Sequence, residues 1–274
     1  MWRYPVKSMI GEELDSVELG EWGLAGDRGW AVRDEERGGI RGAKKIGGLM
    51  QLAARYVDEP DGPVEITLPD GSVVASDDAD RDERVSAAVD HPVTMWPRRP
   101  ATDLDHYRRG AGDHEDVFDE LRDIFGREAD EPLPDLTVFP PEILEYESPP
   151  GTYFDAFPVL VMSTAALASL ATALPDSAID VRRFRPNLVV DTGFRDGHPE
   201  FEWAGMRARI GSTTIEFTTA CPRCIMVTRA VDDDIPRDTK LLRYIVKDLD
   251  QNVGMYARVV EGGEVAVGDS VLLV

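Results

Sequence analysis

Short segments of alternating or β-branched character, each closed by glycine or proline, recur along almost the whole chain. Residues 15–19 alternate, 30–33 read as a second strand, and 64–68 and 73–75 flank Pro69-Asp70-Gly71, a hairpin signal. The same pattern returns at 158–162, 187–191, 206–210, 213–218, 225–230, 255–260 and 270–274. With 24 glycines and 19 prolines in 274 residues, long helices have little room. Three helical interruptions stand out. Residues 115–125 place Val117, Leu121, Ile124 and Phe125 on one face with Gly126 as a stop, Ser163 can cap a helix lasting to Leu174, and 239–249 forms the third. The first ninety-odd residues read as strands and turns alone, and Gly262-Gly263 as the turn of a terminal hairpin. The fold class expected is mainly β with some α (α+β), a barrel with a few covering helices.

Charge narrows the partners. The chain carries 52 acidic against 30 basic residues, a net −22, scattered along its length. Such a surface repels nucleic acid and is what a protein adapted to high salt would show. No stretch approaches the ~18 apolar residues a membrane helix needs, and the N-terminus has no apolar signal core, so no membrane association and a cytoplasmic location are expected.

The only two cysteines are Cys221 and Cys224, in Thr-Thr-Ala-Cys-Pro-Arg-Cys-Ile-Met-Val-Thr. A structural zinc site needs about four ligands, and the four histidines (His91, His106, His114, His198) lack metal spacing. A redox pair usually opens a helix, whereas the residues Ile225, Met226, Val227 and Thr228 prefer strand. Two inert buried thiols remain an alternative. None of these explains Arg223 between them.

Cations gather in three places. Lys7 and Ser8 follow Tyr4-Pro5, Arg28 lies in Gly-Asp-Arg-Gly-Trp, and Arg41, Lys44 and Lys45 form the one basic patch of an acidic protein. Further on stands Arg182-Arg183-Phe184-Arg185-Pro186-Asn187, ahead of a buried strand. A phosphate dianion suits such groups, with ion pairing to the many acids an equal alternative. No GxGxxG, Walker loop or GxSxG elbow is present.

In order, YPVKS, GDRGW, PVLVMSTAALASL, RFRPN, Trp203, CPRC and VGDSVLL make the chain resemble MOSC-domain proteins that carry an N-terminal MOSC β-barrel domain. The family includes the mitochondrial amidoxime-reducing component and the C-terminal part of molybdenum cofactor sulfurases. The resemblance covers nearly the whole chain and implies a MOSC N-terminal domain over 1–97, an acidic Pro-rich connection with one helix over 98–150, and a MOSC domain over 151–274. It implies a molybdenum–pterin cofactor whose metal is bound by Cys224, with Lys7, Ser8 and Arg28 as anchors, Arg41 a weaker match, and Ser163, Thr164, Arg183 and Asn187 in the shell of the second domain. A soft thiolate suits such a metal, and the pterin dithiolene supplies the other sulfurs. Two departures stand out. Only Met1-Trp2-Arg3 precede YPVKS, where the family has a further strand, so either the natural start lies upstream or that strand is missing; and Val231-Asp232-Asp233 replaces the family's Val-Asp-Pro.

The activity implied is two-electron reduction of N-hydroxylated or N-oxygenated small molecules, with Cys224 as the catalytic and metal residue. With only two cysteines no iron–sulfur signature appears, nor any haem, flavin or pyridoxal phosphate signature, so a ferredoxin or flavoprotein reductase is the expected electron donor. The alternative is a molybdenum cofactor carrier or sulfur-transfer protein without reductase activity.

Overall fold

A computed structural model describes residues 1–58 and 60–274, apart from the side chains of Ile143 and Leu144. Among the described residues it is a mixed fold of short sheets and six α-helices, as the strand pattern anticipates. The largest sheet has six strands in the spatial order Leu188–Val190, Val159–Ser163, Asn252–Glu261, Thr213–Pro222, Arg207–Ile210 and Val271–Leu273, curled as half a barrel. Only the Val159–Ser163 and Leu188–Val190 pair is parallel. Val159–Ser163 is buried at every position, as a strand covered on both faces must be. Its inward residues join Phe217, Met255 and Ala257 in one core. Each large apolar side chain sealed there contributes about 1.5–3 kcal/mol.

The N-terminal half builds a second core around Val32, Leu49, Met50, Leu52, Val64 and Ile66. Its strands include Trp30–Asp34, paired with Val93–Pro97, and the Ala53–Tyr56, Val64–Thr67, Val73–Ala75 meander. Trp2–Arg3 pairs with Glu12–Glu13, so the few residues ahead of YPVKS do form a strand.

Three expectations need correction. Residues 81–89 form a helix, not a turn between strands; Val85 and Val89 are its only buried residues, too sparse for a periodic signal. Gly262-Gly263 is not a hairpin turn. Gly263–Ala266 leaves its predecessor and pairs with Ser16–Gly20, bringing the end of the chain onto its beginning. The passage requires small residues, because a Cβ on Gly262 would lie 2.8 Å from the Leu19 carbonyl oxygen. Finally, Ile225–Thr228 is a 3₁₀ turn and not a strand. Side chains claim the carbonyls of the turn and of the residue after it: Arg183 binds those of Val227 (3.3 Å) and Arg229 (2.9 Å), and the turn's own Thr228 Oγ1 binds that of Ile225 (2.8 Å). The strand-based argument against a redox thiol pair falls with it.

Candidate functional site

Where the two halves meet, a cavity of about 380 Å³ opens, within the range of small-molecule sites. Of the predicted site residues it gathers Lys7, Ser8, Arg28, Arg41, Arg183, Asn187 and Cys224. Ser163 and Thr164 do not line it. Ser163 is fully buried, donates to Glu200 Oε2 (2.5 Å) and accepts from the Ala166 amide (2.9 Å) as a helix cap, while Thr164 is exposed at the first position of that helix. Their motif marks the strand-to-helix corner and not the cavity.

Among the described residues lining the cavity, nine are cationic (Lys7, Arg28, Arg41, Lys44, Lys45, Arg109, Arg183, Arg185, Arg223) and three acidic (Glu120, Glu147, Asp155). That inverts the −22 balance of the chain. The basic loops carry backbone strain that their surroundings must hold in place: Ser8, Arg28 and Arg185 have φ of 69°, 52° and 58°, left-handed conformations that cost a non-glycine residue about 1–2 kcal/mol each. A Cβ on Gly42 would meet Ser8 Oγ at 2.6 Å, so this loop passes close to the strained serine. Ser8 Oγ in turn accepts the Ala43 amide at 2.9 Å.

Several of these cations have their donors committed to the protein. Lys7 Nζ donates to Ser148 Oγ (3.2 Å), the Tyr153 carbonyl (2.9 Å) and Asp155 Oδ1 (2.7 Å). Arg183 is consumed by the carbonyls of Ala178, Val227, Arg229 and Pro236. Asn187 Oδ1 accepts the Leu160 amide, and its Nδ2 donates to the Trp2 carbonyl. Arg41 and Lys45 reach out to Asp113, and Lys45 also to Glu120 and Asp123. Arg185 differs. It lies 4.2 Å over the Tyr4 ring and donates one nitrogen to the Met9 carbonyl, but its Nη2 is buried with no hydrogen-bond partner. Burial pushes its guanidinium down to about 10, so it stays charged at neutral pH. A charged donor left unmatched in a basic cavity fits an anionic ligand.

Sequence reasoning missed Asp155. It sits between Lys7 and Lys44, 2.7 Å and 3.1 Å from their ammonium groups. Burial alone would raise its carboxyl; Lys44 and Lys7 outweigh that and hold it well below the usual carboxylate range. Burial pulls the Lys7 ammonium down, while Asp155 overcomes the same effect at Lys44 and raises it. Its signal was a buried lysine that needs a counter-charge. Arg185, seen only as part of a cluster, had no signal of its own.

The two cysteines are free and differ in setting. Cys221 is buried, which pushes its thiol up, and its sulfur donates to the Pro222 carbonyl at 3.9 Å. Cys224 is half-buried at the foot of the 3₁₀ turn. Arg223 between them is a staple: its Nε binds the Val253 carbonyl and its Nη1 that of Phe184, both at 2.9 Å. Among the described residues no group of three or more His, Cys, Asp or Glu side chains converges as a metal cage. A metal at Cys224 therefore finds fewer than three such protein donors among the described residues and must bring its remaining ligands with it. With the orphaned Arg185 nitrogen and the cationic lining, the donor set fits a metal carried by an anionic organic cofactor.

No helix among the described residues is long and apolar enough to cross a membrane. Two family models match the chain: "MOSC N-terminal beta barrel domain" over residues 1–99 and "MOSC domain" over residues 149–272. Among curated proteins, mitochondrial amidoxime reducing component 2 of Bos taurus is 26% identical, the alignment covering 99% of this chain and 81% of that protein. The Homo sapiens protein of the same name is 35% identical over 43% of this chain and 38% of its own length. Among solved structures, the YUAD protein from Bacillus subtilis aligns over 100% of this chain and 92% of its own, at 12% identity and a TM-score of 0.44. YiiM from Geobacillus stearothermophilus aligns over 43% of this chain and 54% of its own, at 13% identity and a TM-score of 0.33. With both family models in their order and the cationic cavity lying where the two regions meet, the chain belongs to the MOSC-domain proteins that carry an N-terminal MOSC β-barrel domain.

Proposed function

We propose that this protein is a molybdenum-cofactor oxidoreductase that reduces N-hydroxylated or other N-oxygenated small molecules. One observation carries the reading: the half-buried Cys224 lies in a cavity whose lining is nine cations to three acids, in a chain of net charge −22. The names of the curated relatives support the reaction class, since each is an amidoxime reducing component.

Reducing N–OH to N–H takes two electrons and two protons and releases water. The bound molybdenum–pterin group would supply the two-electron, oxygen-accepting chemistry. Cys224 Sγ would be the protein's sulfur donor to the metal, a soft ligand for a thiophilic ion. Arg127 holds that loop still, donating Nη2 to the Arg223 carbonyl at 3.0 Å, one peptide before the ligand. Arg28, Lys44 and Arg185 would hold the anionic tail of the cofactor, the last through its unmatched nitrogen. Asp155 keeps Lys7 and Lys44 from repelling one another. Electrons would come from a separate ferredoxin or flavoprotein. The two free thiols accord with a reducing cytoplasm, and the acidic surface with high salt.

Metal analysis of protein made in a molybdate-fed host tests this. The expected result is close to one molybdenum per chain, lost in Cys224→Ala and kept in Cys221→Ala. Metal retained by Cys224→Ala would overturn the ligand assignment. Metal-free protein carrying sulfane sulfur on Cys224 would point instead to a sulfur-transfer or carrier role.

A further inference from the structure

We infer that the connection between the two halves builds a substrate-selecting wall, one that favours N-oxygenated compounds with a flat aromatic body. The inference rests on the reductase reading above. Its evidence is the amphipathic helix Val117–Phe125, whose apolar side has no core to enter. None of its residues is buried, yet Val117, Leu121, Ile124 and Phe125 all line the cavity. An apolar face turned to a void is a face for a ligand.

Aromatic rings continue that wall. Phe139, Phe157 and Tyr256 each line the cavity and are each half-buried. Phe157 and Tyr256 have centroids 5.1 Å apart at 34°. Phe139 stands 6.4 Å from Phe157 and 6.3 Å from Tyr256, edge-on to the latter at 76°. Three rings in mutual contact with faces left open are suited to adding a fourth. The wall carries little net charge: Glu120 is paired with Lys45 and Glu147 with Arg109. An uncharged ring therefore loses little by leaving water here, whereas an anionic group has its partners among the basic loops.

The wall is fixed relative to Cys224. Beyond the helix, Arg127 donates to Gln251 Oε1 (2.9 Å) and to the Arg223 carbonyl, and Arg243 donates to the Gly126 carbonyl and to Glu131. Gly126 is required at the turn: its φ is 61°, and a Cβ there would lie 2.8 Å from Leu242 Cδ2. The apolar wall and the cysteine loop thus move together.

The test compares a phenyl amidoxime with acetamidoxime, which differ only in the apolar body. Wild type, Phe139→Ala and Phe139→Leu are assayed by steady-state kinetics, by calorimetric binding to the protein as purified without reductant, and for molybdenum content. For Phe139→Ala the expected result is a roughly ten-fold rise in KM and Kd for the phenyl compound. The methyl compound, kcat and metal content should hold, with Phe139→Leu between the two proteins. Equal losses for both compounds would overturn the inference, as would loss of molybdenum, which would make the rings part of the cofactor pocket. Wild type that binds the phenyl compound more tightly but reduces neither keeps the wall and rejects the reductase reading.

Discussion

Lys7 Nζ and Asp155 Oδ1 lie 2.7 Å apart across 148 residues of sequence, and Lys44 closes on the other carboxylate oxygen at 3.1 Å. This one carboxylate ties the first basic loop, the second basic loop and the start of the MOSC region around the cavity. It keeps 39% of its side chain exposed, towards the cavity, so water screens the pairing in part.

Asp155→Asn should therefore destabilise the protein by about 1–2 kcal/mol at pH 7, below the ~3–5 of a fully buried pair. The sign follows from the depressed folded-state pKa. The contribution is complete above the unfolded value of about 4 and is lost as pH falls through the lower folded value. Urea midpoints should differ at pH 7 and converge towards pH 3. A difference that grows on acidification would contradict the assignment.

Arg223→Ala removes the donors that hold the Val253 and Phe184 carbonyls. Leaving buried acceptors unmatched costs about 2–4 kcal/mol here, or roughly 5–10 °C in Tm. Differential scanning calorimetry reads it. An unshifted Tm would mean that the cysteine loop is held by something else.

Ser163→Ala tests the placement of that residue outside the cavity. Losing the cap on the Ala166 amide costs about 1 kcal/mol. Glu200, already raised by burial, also loses its Ser163 donor. Stability should drop while molybdenum retention is unchanged. Loss of metal without loss of stability would return Ser163 to the cofactor shell.

Salt should act in opposite directions on two parts of the molecule. At 1 M the screening length falls to about 3 Å, relieving the self-repulsion of a −22 chain and raising the global unfolding midpoint. The contacts of Lys45 with Asp113, Glu120 and Asp123 weaken under the same screening. Amide exchange across 113–125 should quicken between 0.1 and 1 M salt while the core strands slow. Uniform slowing would show that these contacts do not hold the helix.

Much was legible locally. Ser163 capping its helix, Gly126 stopping another and Pro69-Asp70-Gly71 turning a hairpin are decided by backbone chemistry within a few residues. That Lys7, Ser8, Arg28 and Cys224 belong to one site was legible only through the resemblance of their motifs to MOSC-domain proteins, and the cavity they line brings them together. Which of their donors are committed was not. Arg183 looked like a ligand-binding arginine and instead holds four carbonyls of the loop beside Cys224.

By itself, then, the sequence determined most of the short strands, the Pro69-Asp70-Gly71 turn and the helix caps, since those follow from side-chain periodicity and local sterics. The tertiary structure alone decided that Gly263–Ala266 would pair with Ser16–Gly20, that Ile225–Thr228 would coil instead of extend, and that Asp155 would stand between two lysines. Each of these depends on hydrogen-bond or charge partners far away in the chain, and no local pattern records who a residue's distant neighbours will be.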